Sequence, residues 1–450
     1  VPEIAEDPHP HLWFPFTYHD DLAAHPPVVI ARGEGVWLYD EAGRAYLDAI
    51  GSWWTNLLGH RRPEIVDAIA AQLGRVEHVM MAGFVTPPLL GLAERLSRRL
   101  PPELTRYFLS DNGSTAVEVA VKMALQHWAL RGEERPHVIA LGGAYHGDTL
   151  GAMTVGDIPS YHTVFHRLHK RGLFTDPPSC YRCPVGRQRE TCAAECMDSL
   201  ERLLVEHAGR VAAVIFEPMV QGAAGMRVYP PKVLTRLFDL CERHGVLTIA
   251  DEVAMGMCRT GPFLATAHAG RVPDIACLAK GLTGGFLPLA VTAVQEHVYG
   301  PFCGARGSGR ILHHGHTFSG NPLAAAAACA TLDVLDSLDI PASLGPITEH
   351  FARGLLAFGD IAAIGDIRQL GLVGALELVS DRETRAPLPP EANTGWRIHL
   401  RALELGLIMR PLGDVMYFLP PLTITHDEVD LMFARARQAI TDVLGAPGAG

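Results

Sequence analysis

The sequence has no apolar run long enough to cross a bilayer. The longest such stretch, from Pro322 to Leu335, is rich in alanine and carries Asp333; it predicts a buried helix, not a membrane span. An excess of positive charge is also missing. The formal net charge is −11, which excludes nucleic acid as the main partner and makes an anionic membrane surface a poor match, because phosphate contacts need a basic face. The segment VPEIAEDPHPHLW has no basic region followed by an apolar one, so no secretory leader is expected in it. There is no low-complexity block, internal repeat or long linker. Nine cysteines are an odd number, and Cys241, Cys277 and Cys329 sit in apolar runs. A reduced, cytoplasmic setting is expected, not a disulfide framework.

What is present reads as a globular α/β protein. With 48% hydrophobic and 19% charged residues in 450, the chain can bury a large core. Val36 to Trp54 alternates apolar and polar residues around a turn signal at Glu41–Gly43, which predicts a hairpin. From about residue 64 the rhythm changes. EIVDAIAAQL reads as a helix, and the short runs HVIAL (137–141), VAAVIFEP (211–218) and VLTIAD (246–251) alternate with amphipathic stretches. Such alternation predicts a mostly parallel central sheet flanked by helices. The tail returns to mixed elements, so a smaller α+β domain is expected from both chain ends. The boundaries read as 1–63 for an N-terminal segment, 64–335 for the large α/β domain and 336–450 for the C-terminal part of the small one.

Three segments carry chemistry. Asp251 ends the run TIAD, and its carboxylate is expected at a strand's C-terminal end, where open α/β sheets bind ligands. Lys280 ends DIACLAK and precedes Gly281, where small residues leave room for a ligand. Taken singly, a loop lysine and a helix-capping aspartate are the simpler readings. SDNGSTAVEVAVKMALQHW places Asn112, Gly113 and Ser114 before a periodic helix with Val117, Val121, Ala124, Leu125 and Trp128 expected on one side. Unpaired N–H groups at such a start can cradle a phosphate, although an ordinary N-cap would look the same. Together these are the lysine, the acid and the phosphate donors that pyridoxal phosphate requires. In GGAYHGDTLGAMT, Tyr145 is placed to lie on a cofactor ring, with His146 and Asp148 behind it.

The ordered set HLWFPFT, GSWWTNLLGH, SDNGSTAVEVAVKMALQHW, AYHGDTLGAMTVGD, EPMVQGAAGM, ADEVAMGMCRTG, AKGLTGGFLPLAVT, HGHTFSGNPLA and MRPLGDVMYFLPPL resembles the class III aminotransferases of fold type I over nearly the whole chain. Within them it is similar to the branch that aminates 8-amino-7-oxononanoate in biotin synthesis. The resemblance implies a pyridoxal 5′-phosphate enzyme in which Lys280 carries the cofactor and Asp251 faces the pyridine nitrogen. It implies that Asn112, Gly113 and Ser114 hold the phosphate, and that Tyr145 and Val253 cover the two ring faces. Thr317 would reach the phosphate of a neighbouring subunit in a homodimer with shared active sites. Phe16, Trp53, Trp54, Gly315, Arg410 and Tyr417 would form the substrate pocket, with Arg410 gripping a carboxylate in bidentate fashion. Arg259 is expected either to form a salt bridge with Glu217 or to be structural.

Four details refine the resemblance. Ala254 stands where many omega-aminotransferases have Gln, which favours the diaminononanoate branch and argues against an aminomutase such as glutamate-1-semialdehyde isomerase. Phe16 replaces the tyrosine that contacts adenosylmethionine in many members, so the expected donor is adenosylmethionine or lysine. Met257-Cys258 replaces the usual Phe-Gly, which would narrow or re-aim that turn. Finally, CYRCPVGRQRETCAAEC presents Cys180, Cys183, Cys192 and Cys196 as C-x2-C…C-x3-C. This spacing suits zinc or an iron–sulfur cluster, but a loop of reduced thiols is the preferred reading and no residue is assigned as a metal ligand. A cofactor- or metal-binding interaction protein organised by that knuckle is the non-enzymatic alternative. His313, His314 and His316 are expected to shape the dimer-interface loop.

Overall fold

A computed structural model describes residues 11–168 and 171–445; most of the segment read for a leader therefore lies outside the described residues. At its centre is a seven-stranded sheet. Its spatial order is Leu104–Ser110, Ala290–Gln295, Ile275–Leu278, Leu247–Asp251, Val211–Phe216, His137–Ala140, Leu173–Phe174. The pairs from Ile275–Leu278 to Leu173–Phe174 are all parallel. Ala290–Gln295 alone runs against both of its neighbours, so Leu104–Ser110 points the same way as the other five. Residues of Val211–Phe216 and Leu247–Asp251 are buried throughout, as expected for strands covered by helices on both faces. The mostly parallel sheet inferred from the sequence is present.

Helix Gly113–Leu130 packs on this sheet with Val117, Ala124 and Trp128 of the expected face buried, but Val121 is only half-buried and the contact is shifted toward its alanines. Ala116, Ala120 and Ala124 are fully buried with Met123 and Trp128, whereas Leu125 is exposed. Small residues let the helix lie close against the strands, and Val121 and Leu125 are turned partly outward. The Pro322–Ser337 helix is buried along most of its length, as its composition predicts.

The two chain ends meet. Trp37–Asp40 and Ala45–Asp48 form the expected hairpin, and Leu407–Ile408 adds to it in parallel, pairing Leu407 with Leu47. Beside it, Ile364–Leu370, Val373–Leu378, Val415–Phe418 and Pro411–Leu412 make a four-stranded antiparallel sheet. One expectation needs correction here. The hairpin was read through to Trp54, but strand structure ends at Asp48, and Ser52, Trp53 and Trp54 take left-handed backbones (φ 45°, 64° and 74°). The cause is the wholly buried Asp48 carboxylate. It accepts the Ile50 N–H (3.2 Å) and the Ser52 hydroxyl (2.7 Å) and lies 3.0 Å from His60 Nε2. Gly51 is required at the start of this turn: at φ +54°, a Cβ would stand 2.9 Å from the Leu419 carbonyl oxygen.

Candidate active site

Five strands that point the same way deliver side chains to one edge of the central sheet. Leu104–Ser110 leads to Asn112, His137–Ala140 to Tyr145 and His146, and Val211–Phe216 to Glu217. Leu247–Asp251 ends on Asp251 itself, and Ile275–Leu278 leads to Lys280. These residues line a single cavity of about 410 Å³, together with Gly113, Ser114, Val253 and Trp54. Ligand sites at the carboxyl edge of an α/β sheet are the rule for this topology.

Lys280 begins a short 3-10 turn with φ +46°. Its Nζ lies 4.4 Å from the centroid of the Trp54 ring. Burial lowers its pKa from about 10.5 to about 8, while Asp251 and Glu217 pull the other way. A substantial fraction of the amine is therefore neutral, and nucleophilic, near physiological pH. Asp251 is buried; its Oδ1 accepts the Val253 N–H (3.1 Å), and Oδ2 lies 2.7 Å from His146 Nδ1. His146 Nε2 is buried with no partner.

The helix start at Asn112 is a complete capping box. Asn112 Oδ1 accepts the Thr115 N–H and the Asn112 carbonyl accepts that of Ala116, which leaves the N–H groups of Gly113 and Ser114 for a ligand. The backbone is drawn in tightly around them. A Cβ on Gly113 would meet Val253 Cγ1 at 2.6 Å, and one on Gly147 would meet Ser114 Oγ at 2.0 Å. Tyr145 extends from the opposite side with its hydroxyl on Asp148 (2.7 Å). Burial, and then that carboxylate, hold its phenol protonated.

Next to the cavity lies a second cluster. Arg410 is 5.4 Å from the Trp53 ring centroid and donates from Nη2 to the Phe16 carbonyl (2.6 Å). Phe16 packs on Trp53 (5.7 Å) and on Tyr161 (5.0 Å). Tyr417 is buried behind the indole of Trp54, edge to face at 6.0 Å. Thr317 and Gly315 are exposed and take no part in lining the cavity of this chain.

Other expectations are resolved differently. Arg259 makes no bridge to Glu217. Its guanidinium donates to the carbonyls of Pro420 and Asn56, inside the fold, so the structural alternative holds. Glu217 instead accepts the N–H groups of Tyr145 (3.0 Å) and Gly222 (2.7 Å), and burial pushes its pKa up to about 7. Met257 and Cys258 are buried in left-handed conformations, φ 58° and 67°. His316 pairs with Asp111 (2.7 Å) and His314 with Lys122 (3.0 Å). Tyr161 and the loop of Phe286, Leu287 and Pro288 were missed; the loop lies within the AKGLTGGFLPLAVT run but was given no role, and Tyr161 stands in no pattern that signals a site.

Comparison with known proteins places the chain in a class. The family model for class-III aminotransferases matches residues 18–440, and the chain belongs to that family. An adenosylmethionine-8-amino-7-oxononanoate aminotransferase of Nitratidesulfovibrio vulgaris is 45% identical, over 97% of this chain and 82% of its own. The protein of that name from Geobacter sulfurreducens is 44% identical, over 97% and 96%. The crystal structure of the Methanocaldococcus jannaschii protein of that name superposes with a TM-score of 0.90 at 37% identity, covering 96% of this chain and 97% of that one. A pyridoxal-phosphate-bound amine transaminase from an uncultivated Pseudomonas species gives 0.91 at 36%, covering 98% and 100%. The fold is that of fold-type I transaminases, the chain is an aminotransferase, and pyridoxal phosphate is its cofactor. The residues present suit that group: a half-buried amine, a buried carboxylate and two free helix N–H groups share one cavity.

Proposed function

We propose that this aminotransferase moves an amino group onto the keto carbon of 8-amino-7-oxononanoate, yielding 7,8-diaminononanoate for biotin synthesis. The observation that carries this reading is the near-full-length likeness to relatives bearing that activity in their names, 38–45% identical in five cases. Ala254, in the cavity wall, agrees with the same branch.

Bound pyridoxal phosphate supplies an electron sink for the carbon that bears the transferred nitrogen. Lys280 would hold the cofactor covalently between turnovers and then move the proton at the substrate carbon, a task suited to an amine of lowered pKa. Asp251 would keep the pyridine nitrogen protonated, with His146 fixing the carboxylate. Gly113 and Ser114 would bind the phosphate on one side and the partner subunit's Thr317 on the other, in a homodimer. Tyr145 and Val253 would cover the ring. Trp53 and Trp54 would exclude water along the substrate chain, with Tyr417 behind them and Gly315 at the entrance. Arg410 would grip the distal carboxylate by exchanging the Phe16 carbonyl for a charged acceptor, the stronger partner. On this reading residues 64–335 form the cofactor-binding domain and the two ends form the small one. A cytoplasmic setting fits the free cysteines.

The donor is adenosylmethionine or lysine. The test supplies the keto acid with each donor separately and quantifies the diamine by mass spectrometry. Product with neither donor would return the reading to another omega-aminotransferase, and turnover of a single substrate without any donor would make the enzyme a mutase.

A further inference from the structure

Cys180, Cys183, Cys192 and Cys196 are free thiols, and among the described residues no three Cys, His, Asp or Glu side chains are placed to hold a metal ion. The arginines around that loop enclose a different space. A cavity of about 190 Å³ lies between the loop, the short strand Arg227–Val228 and the antiparallel sheet of the C-terminal part. It shares no lining residue with the cavity around Lys280. Four guanidinium groups line it: Arg189 from the loop, Arg227 from the short strand, Arg368 from Ile364–Leu370, and Arg385.

The protein's own acceptors do not satisfy these donors. Arg368 is only 7% exposed; it donates from Nη1 to Asp366 (2.8 Å) and Glu377 (2.5 Å) and from Nη2 to the Gly225 carbonyl (2.8 Å), yet its Nε is buried with no partner. Arg385 donates to the Tyr181 carbonyl, and the Tyr181 hydroxyl, in the same wall, is also buried without a partner. Arg227 meets no acceptor at all among the described residues, although it is half-buried. Its Nη1 is pressed against the turn before Tyr145, where a Cβ on Gly143 would stand 2.6 Å away. Burial, and then the charge of Arg368, lower its pKa. Buried polar groups are paired with few exceptions, and a desolvated cation without an acceptor is costly.

We propose that this cavity binds one dianionic phosphate group, either inorganic phosphate or the head of a phosphomonoester. The charge balance fits. Glu190 and Asp366 are the only carboxylates in the wall, against four guanidinium groups, and Glu377 behind it is shared with a fifth cation, Arg182 (2.7 Å). Two positive charges are left over, which a dianion neutralises. The geometry fits as well. The cations come from the loop, the short strand and the sheet, with Ser179 and Gln188 beside them, and donors on several sides suit a tetrahedral oxyanion better than a planar carboxylate. Arg368 and Arg227 would take the inner oxygens, and the exposed Arg189 would close over them. Occupancy would also reach the active site. Gln221, paired with Arg227 across the short hairpin, donates to the Gly142 carbonyl (3.0 Å). A bound phosphate would thus tie the C-terminal sheet to the turn that leads to Tyr145.

The test uses the full-length, cofactor-loaded enzyme, in which the cofactor's own phosphate pocket is filled. Calorimetric titration with inorganic phosphate, at constant ionic strength, should give a saturable site with a Kd of about 1 mM or tighter. The melting temperature should rise with phosphate and not with chloride of equal ionic strength. Acetate should bind at least about tenfold more weakly. Glycerol phosphate, titrated in parallel, distinguishes the sources: the tighter of the two phosphates is the natural class. Arg227→Met should abolish phosphate binding and retain the lysine-linked cofactor band. If that variant does not fold, Arg189→Ala decides, because its side chain is exposed and has no partner to lose; it should weaken phosphate by about tenfold. No saturable binding below about 10 mM phosphate would overturn the proposal. So would equal binding of acetate, an affinity unchanged in Arg189→Ala, or binding seen only after the cofactor is removed.

Discussion

His146 Nδ1 stands 2.7 Å from Asp251 Oδ2, and both side chains are buried. The pair fixes the carboxylate at the sheet's carboxyl edge: one oxygen meets the imidazole and the other accepts the Val253 N–H. Replacing His146 with Ala removes a hydrogen bond to a charged group, worth about 1.5–3 kcal/mol. We expect kcat to fall by about tenfold to a hundredfold and the cofactor to dissociate faster, read by dialysis and absorbance. His146→Gln, which keeps a donor, should recover part of the loss. A His146→Ala enzyme with wild-type kcat would remove the pair from the mechanism.

The lowered pKa of Lys280 sets a pH dependence. With a folded value of about 8, the amine loses its proton as pH rises through 8, and only the neutral form attacks a carbonyl. Reconstitution of the cofactor-free enzyme should therefore rise about tenfold per pH unit below 8 and level off above it. A plateau reached only near pH 10 would mean that burial does not control this lysine. Lys280→Ala should lose both the lysine-linked absorbance and turnover.

Local rules place Lys280, Asp251 and the Asn112 helix start at the ends of short apolar runs or in a capping pattern, but taken singly they favour simpler readings, and it is the ordered family motifs that single these residues out. What escaped depends on contacts that hydrophobic patterning does not encode. The turn at Ser52–Trp54 is held by Asp48 and His60, and nothing in GSWW itself announces a left-handed backbone. On helix Gly113–Leu130, Val117, Ala124 and Trp128 are buried as expected, but Val121 and Leu125 are not, because alanines allow close approach to the sheet and hydrophobicity ranks those two above them. The choice between a Glu217–Arg259 bridge and a structural Arg259 stayed open in the sequence because two backbone N–H groups reach Glu217, and backbone donors leave no mark on a sequence.

Arg259 offers a test of its structural role. Its two terminal nitrogens serve two carbonyls from different parts of the chain, Pro420 and Asn56, and burial lowers its pKa only to about 10, leaving it charged. Lysine has its three N–H donors on a single nitrogen and cannot span the two carbonyls that the guanidinium reaches with separate nitrogens. Arg259→Lys should cost about 2–4 kcal/mol of stability by denaturant titration, with KM for the keto acid close to wild type in the folded fraction. A large rise in KM without loss of stability would restore a role at the pocket.

Arg410 is expected to act on one substrate only. Losing a charge-assisted pair to the keto acid's carboxylate removes about 1.5–3 kcal/mol, so Arg410→Ala should raise that KM by about tenfold to a hundredfold, with a smaller effect on kcat. Steady-state kinetics at saturating donor would show it. An unchanged KM would move the carboxylate site elsewhere.

Phe16 lies between Trp53 and Tyr161, with its carbonyl held by Arg410, so its ring borders the proposed pocket without offering a polar group. A donor as polar as adenosylmethionine gains nothing from that edge, whereas lysine needs little there beyond apolar contact along its stem. Phe16→Tyr adds one hydroxyl at the same rim. One hydrogen bond is worth about 0.5–1.5 kcal/mol, so kcat/KM for adenosylmethionine relative to lysine should rise by up to about tenfold. Competition between the two donors, read by their distinct keto products, measures that ratio directly. If it does not move, donor choice is made by another residue, and Phe16 only packs.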